Sequence, residues 1–228
     1  MNSPNGSGAM FDGIAPKYDL LNTVTSLGFD RRWRKKAVAA LRLTTGDRLL
    51  DLAAGTLDIS IAAANRYPGI QVIAADPSKG MLRMGKQKLS SSTLVSIMAS
   101  TGEHLPLQPN SVHAAIIAFG IRNFADRHAA LRQLSTVLVS GGRLVILELS
   151  TPKGSILAPM ARFYVQRMIP LFGAILSSHS EYAYLPESMK RFPAPNTFAT
   201  ELTQAGFTVP HVERFMSGAC HLYICEKQ

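Results

Sequence analysis

The chain of 228 residues is short of charge, of cysteine and of aromatic rings. Charged residues make up 17% of it, against about 25% in ordinary soluble domains. The shortage falls on the acids: 15 Asp and Glu stand against 24 Lys and Arg, a formal net charge of +9. At 46% apolar residues, the balance excludes intrinsic disorder. Two cysteines, Cys220 and Cys225, are too few for a disulfide framework, and no further Cys or His pair at metal-ligand spacing accompanies them. They read as small residues on a terminal strand in a reducing compartment, and no metal site is expected. No run of about 18 uncharged apolar residues occurs, so no membrane-spanning helix is expected. The polar leader lacks an apolar signal core. The expectation is a cytoplasmic protein, with membrane contact peripheral and at the inner face. Aromatic residues, at 7%, give few stacking platforms for nucleic acid, and no second basic stripe or added RNA-binding domain is evident. A greasy sequence with a cationic excess suits an anionic membrane surface, although composition alone also admits nucleic acid.

No internal repeat is present; what is present is an alternation. Segments 48–53, 70–76, 93–99, 112–119 and 142–149 read as strands. Helices are expected over 58–66, 78–89 and 127–138. Short apolar strands alternating with helices predict an α/β fold whose mostly parallel sheet is covered on both faces. After Ser150 the pattern breaks. A long apolar stretch, 155–178, is interrupted by Pro159 and Pro170. A helix near 197–205 then leads into 207–215 and 219–226, an expected antiparallel pair that closes a seven-stranded sheet. The organisation expected is a leader over 1–9 and one domain over 10–228, with a helical insertion at about 151–196.

In such sheets, ligands bind beyond the carboxyl ends of the strands, where the winding reverses. The first strand ends in Asp51-Leu52-Ala53-Ala54-Gly55-Thr56-Leu57-Asp58. A dinucleotide fingerprint needs G-x-G-x-x-G there, and Gly55 stands alone. The second strand ends in Asp76-Pro77-Ser78, where Asp76 could accept bonds from two ribose hydroxyls. By itself that tripeptide is most simply a helix N-cap. An acid, a small-residue loop and a second acid, in this order on consecutive strands, form the usual arrangement of an S-adenosylmethionine site.

Longer motifs narrow the reading. They are Met10-Phe11-Asp12-Gly13-Ile14-Ala15-Pro16-Lys17-Tyr18-Asp19-Leu20-Leu21-Asn22, Asp51-Leu52-Ala53-Ala54-Gly55-Thr56, Glu103-His104-Leu105-Pro106 and Phe119-Gly120-Ile121-Arg122-Asn123. Tyr184-Leu185-Pro186-Glu187-Ser188, followed by Phe192-Pro193, completes the set. From about Met10 to the C-terminus the chain resembles the ubiquinone/menaquinone C-methyltransferase family (UbiE/MenG type). The resemblance implies a class I methyltransferase, Rossmann-like, with a helical lid. It implies methyl transfer from S-adenosylmethionine to a ring carbon of a prenylated quinol, demethylmenaquinol or a related demethylated quinol.

Carried over by motif, Thr56, Gly55 and Asp51 lie at the methionine part of the cofactor and Asp76 at its ribose. Thr101 and Gly102 lie near the adenine, Ala118 is at the cofactor, and Tyr18 covers it. Arg122 supplies a cationic field for the developing phenolate, and Asn123 a hydrogen bond to a quinol oxygen. His104, His179 and Glu181 are further base candidates. Leu57 stands where the family has the second glycine of Gly-Thr-Gly-Asp, a place where positive φ suits glycine. Thr101 and Ala118 also depart from the family's commoner residues. Other readings are a non-catalytic subunit of a quinone-biosynthesis assembly, or a methyltransferase acting on another small molecule or on RNA. Segment 155–178 is expected to serve as a lid for the isoprenoid tail. The run Arg31-Arg32-Trp33-Arg34-Lys35-Lys36 is expected to meet anionic lipid. Oligomeric state is left open.

Overall fold

Strands apolar on both faces build the middle of the molecule, a computed structural model that describes residues 8–15, 19, 23, 26, 28–90, 94–151 and 187–228. β1 (Arg48–Leu52) is buried from its second residue onward, and in β4 (Val112–Ala118) only His113 is partly exposed. β2 (Gln71–Asp76), β3 (Val95–Ala99), β5 (Leu138–Leu149), β6 (His211–Phe215) and β7 (Cys220–Glu226) complete a sheet in the order β3-β2-β1-β4-β5-β7-β6. β7 runs antiparallel to both of its neighbours, while the pairs from β3 to β5 are parallel. This is the seven-stranded, Rossmann-like sheet of class I methyltransferases, as expected. Chain order moves outward from β1 to β2 and β3 in one direction, and from β4 to β5 in the other. The reversal lies between β1 and β4, and their carboxyl ends mark the place for a ligand.

Helices cover both faces. On one face α2 (Phe29–Ala40) and α3 (Asp58–Arg66) place Trp33, Ala37, Val38, Leu41, Ile59 and Ala63 against Leu49, Ile116 and Val145. On the other, α5 (Arg127–Val137) and α6 (Pro195–Gln204) place Leu131, Leu134, Phe198 and Leu202 against Leu50, Ile117 and Ile146. α4 (Lys79–Lys86) follows β2 and is capped by Ser78, whose hydroxyl accepts from Met81 N at 3.1 Å. α1 (Gly8–Ile14) lies against α4.

Two boundaries and one side chain's burial differ from expectation for identifiable reasons. β5 starts at Leu138, directly after α5, and its pairing with β4 slips between Val112 and Ala114. Gly141, at φ 71°, allows this bulge, and a Cβ on Gly142 would lie 2.7 Å from the Val139 oxygen. Leu138 and Val139 continue the helix's apolar rhythm in sequence, which hides the change. β6 covers only His211–Phe215, because Pro210 has no N–H to donate; upstream, Phe207 makes an isolated bridge to Lys227. Trp33 is not a surface aromatic: it is 5% exposed and stacks between Phe29 and Phe215, at 6.3 and 6.0 Å. Cys220 and Cys225 are buried free thiols on β7, the latter pushed up to about 12 by burial. The expected lid, 155–178, lies outside the described residues, as does most of the insertion. Among the described residues no helix is long and apolar enough to cross a membrane, and no cluster of His, Cys, Asp and Glu could hold a metal ion.

Candidate active site

The turn after β1 enters the left-handed region three times within five residues. Ala53, Gly55 and Leu57 take positive φ of 58°, 53° and 65°. Its shape is held from outside by Asp76 at the end of β2. One carboxylate oxygen accepts from Gly55 N at 2.9 Å, the other from Ser78 N at 2.8 Å. Asp76 is 8% exposed, and this burial raises its pKa against the pull of those two N–H groups. Asp51, one residue before the end of β1, accepts from Ser60 Oγ of α3 at 2.6 Å and is pushed up to about 7 by burial. Two strand-end carboxylates thus flank one turn, as the motif order anticipated.

Leu57 answers the question its sequence position raises. Its backbone keeps the left-handed conformation that glycine would adopt, and its side chain turns inward, fully buried with Ala54, Ala74 and Leu82. The space comes from α4: a Cβ on Gly85 would lie 2.4 Å from Leu57 Cγ. The leucine therefore fills core below the turn and leaves the turn's upper surface to backbone.

The other carried-over positions are distributed around this turn. Ala118 ends β4, and Phe119 follows at φ 62°. A Cβ on Gly120 would meet Ala53 Cβ at 2.4 Å, so the ends of β1 and β4 approach closely only with glycine there. Thr101 is exposed just after β3, whereas Gly102 is buried, with room for no side chain beside the Phe124 ring. Thr56 is buried, and its hydroxyl donates to Asp19 Oδ1 at 2.6 Å. Lys88 bridges that same Asp19 to Asp58. Nearby, Asp12 of α1 accepts from Ser78 Oγ at 2.6 Å and Gly80 N at 2.7 Å, which holds its carboxyl below the usual range. Asp12 and Asp19, both within the sequence motif that begins at Met10, thus bond to the loops after β2 and β1 respectively. Those two pairings join residues far apart in the chain, and nothing local announces them. Tyr18, His179 and Glu181 lie outside the described residues, and His104 is exposed on the loop after β3.

Across the switch point a second polar group gathers at the ends of β4, β5 and β7. Arg122 sits on the short 3₁₀ turn Ile121–Asn123, where Asn123 N donates to Gly120 O at 3.0 Å. Its Nη1 donates to Glu148 Oε1 and to Phe119 O, both at 2.6 Å, and its Nε reaches Ser188 Oγ at 3.4 Å. Glu148 is fully buried, and the Arg122 side chain is 9% exposed. The cation anticipated from sequence is therefore half of a buried ion pair. Beside it, Glu148 pairs across the ladder with His221, and Ser150 Oγ lies 2.8 Å from His221 Nδ1. The Tyr223 hydroxyl is buried with no hydrogen-bond partner among the described residues. Ser150 and His221 line a cavity of about 560 Å³ with Phe192, Lys190, Asn196 and Arg214.

Residues 4–227 match the ubiE/COQ5 methyltransferase family. The chain belongs to that family. It is 41% identical over 215 residues to the ubiquinone/menaquinone biosynthesis C-methyltransferase UbiE of Syntrophotalea carbinolica, covering 94% of this chain and 91% of that one. It is also 41% identical over 202 residues to the demethylmenaquinone methyltransferase of Thermus thermophilus, covering 88% and 92%. Among solved structures, a SAM-dependent methyltransferase from Aquifex aeolicus shares the fold with a TM-score of 0.64. It is 17% identical and covers 86% of this chain and 89% of its own. In a family member, the turn between Asp51 and Asp76 and the Arg122–Glu148 pair are the features to explain.

Proposed function

We propose that this protein methylates a ring carbon of a prenylated quinol, a demethylmenaquinol or a related demethylated quinol, in quinone biosynthesis. The observation that supports it is the division of one sheet edge, in a chain of this family, between a carboxylate-flanked turn and a buried cation beside a cavity. S-adenosylmethionine supplies, when bound, a methyl group already activated on a sulfonium sulfur. The chain's own residues then bind and orient. Asp76 keeps a lone pair on each oxygen beyond its bonds to Gly55 and Ser78, and these accept the two ribose hydroxyls. Gly55, Thr56 and Ala118 offer backbone and small side chains to the methionine part, with Asp51 beneath. Thr101 and Gly102 border the adenine, and Tyr18 covers the cofactor. On the quinol side Arg122 keeps Nη2, which makes none of its bonds among the described residues, for the developing phenolate, while Asn123 holds a ring oxygen. Glu148 and Ser188 aim that guanidinium, so its charge acts from a fixed position.

The deciding experiment is a methyl-transfer assay with demethylmenaquinol and with the methoxylated benzoquinol precursor. Methylation of either supports the reading, and the faster one names the ring; transfer to neither overturns it. Replacing Asp76 by Ala should weaken S-adenosylmethionine binding by about 1.5–3 kcal/mol, roughly tenfold to 150-fold by calorimetric titration. Undiminished affinity would remove Asp76 from the site.

A prenylated quinol stays in the bilayer, so we place the enzyme at the membrane surface, peripherally, on the cytoplasmic side. Arg31, Arg32 and Lys35 are exposed on α2, while Lys36 is paired with Glu213 and Trp33 is buried. Attachment then rests on charge from this helix and not on an inserted ring. Each cation near an anionic surface contributes about 1 kcal/mol, and the attraction fades over about 8 Å at physiological salt. Changing Arg31, Arg32 and Lys35 together to Gln should lower co-sedimentation with anionic liposomes by up to about 10²-fold at low salt. Binding equal to the parent's would leave this face merely solvated.

A further inference from the structure

His221 lies outside every motif that led to the site, yet it is at the same sheet edge. It is the second residue of β7, next to the end of β5, and its Cα partner in the ladder is Glu148, the residue that holds Arg122. Opposed residues on such a ladder have Cβ atoms about 5 Å apart on one face. Its ring is buried and lines the cavity between β7 and the residues around Phe192.

The hydrogen bonds around Ser150 settle which ring nitrogen carries the proton. A serine hydroxyl has a single hydrogen. Ser150 Oγ donates that hydrogen to Gly218 O at 2.7 Å. The 2.8 Å contact between Ser150 Oγ and His221 Nδ1 must then be donated by Nδ1–H. The ring is left with a bare lone pair on Nε2. Burial, with the Arg214 cation on β6 acting in the same sense, holds the His221 pKa below its ordinary value. The facing charges are Glu148 and Arg122 on the β5 side, Arg214 on β6, and Lys190 across the cavity. The neutral, proton-accepting form is therefore the resident one near pH 7.

Given the quinol reading above, on which this inference rests, we propose that His221 Nε2 is the base that takes the proton from the quinol hydroxyl, with Ser150 as its positioning residue. The O–H bond breaks and an Nε2–H bond forms; the oxygen keeps the electron pair and feeds it into the ring, raising the nucleophilicity of the ring carbon. Arg122 meets the resulting phenolate. When the methylated ring loses its own C–H proton to solvent, the imidazolium returns its proton to the oxygen. One proton is released per turnover, and the histidine ends as it began.

Nitrogen NMR of protein labelled with ¹⁵N-histidine should show His221 protonated on Nδ1 and bare on Nε2. A short-chain prenylated naphthol, a redox-stable probe with one hydroxyl, should shift the Nε2 resonance. His221→Gln should leave calorimetric binding of S-adenosylmethionine unchanged and lower kcat on the parent quinol by about 10²-fold. On a ring-fluorinated quinol, whose hydroxyl ionises more readily, the loss should be less than about tenfold, since a base matters less as the proton becomes more acidic. Ser150→Ala should show the same substrate dependence with a smaller loss. Equal losses on both quinols would mean a structural role and overturn the proposal, as would an Nε2 already protonated in the free protein. A parent protein inactive on both quinols would overturn the quinol reading itself, and this role with it. An active parent with an equally active His221→Gln variant would overturn the role alone.

Discussion

Glu148→Gln should lower the stability of this protein by about 3–5 kcal/mol, the usual effect of removing one partner from a buried ion pair. Gln keeps the shape and one acceptor oxygen but leaves the Arg122 guanidinium, 9% exposed, without a countercharge. For a domain of this size that corresponds to a fall in Tm of about 6–20 °C, measurable by calorimetry. Arg122→Ala should destabilise comparably through the uncompensated carboxylate. The double variant Glu148→Leu with Arg122→Met should recover most of the loss, because a well-packed apolar pair often equals a buried ion pair in stability. It should recover no turnover. That separation distinguishes a charge kept for chemistry from one kept for folding. A Gln variant that melts within a degree or two of the parent would show that water or another donor compensates the pair.

Leu57→Gly has opposing contributions of known sign. Losing a fully buried leucine side chain costs about 2–5 kcal/mol, while relief of a left-handed non-glycine residue returns about 1–2 kcal/mol. The net expectation is about 2 kcal/mol of destabilisation, read as a lower denaturant midpoint with an unchanged slope. Affinity for S-adenosylmethionine should stay close to the parent's, because the side chain faces Ala74 and Leu82 and not the outer side of the turn. A variant as stable as the parent would show that Leu57 contributes no core packing.

The two cases also show what can be read from the chain alone. The inner strands β1 and β4 were legible because both of their faces are buried, so their apolar runs are nearly continuous. Asp51, Gly55 and Asp76 were legible because they stand at or just beyond the ends of β1 and β2, and a strand's end is a sequence event. Glu148, His221 and Ser150 were not, since their meaning comes from the β5–β7 pairing and a hydroxyl aimed across the chain. Trp33 looked like a surface aromatic because four of its five companions in Arg31–Lys36 are exposed; only the stacking of Phe29 and Phe215 around it shows that the helix buries that stripe. The place of Leu57 was equally hidden, because the space it fills is provided by Gly85 on the next helix.

Ala53, Leu57 and Phe119 are all held at positive φ around the point where β1 and β4 diverge. Each such non-glycine residue costs about 1–2 kcal/mol, so this rim carries on the order of 3–6 kcal/mol that the core beneath it must offset. Selection for heat resistance and selection for the shape of the turn therefore act on the same residues. Glycine at any of the three would relax the rim and also widen the range of shapes it samples. A descendant adapted to higher temperature would gain more safely from substitutions away from this rim, where the backbone does not shape the turn.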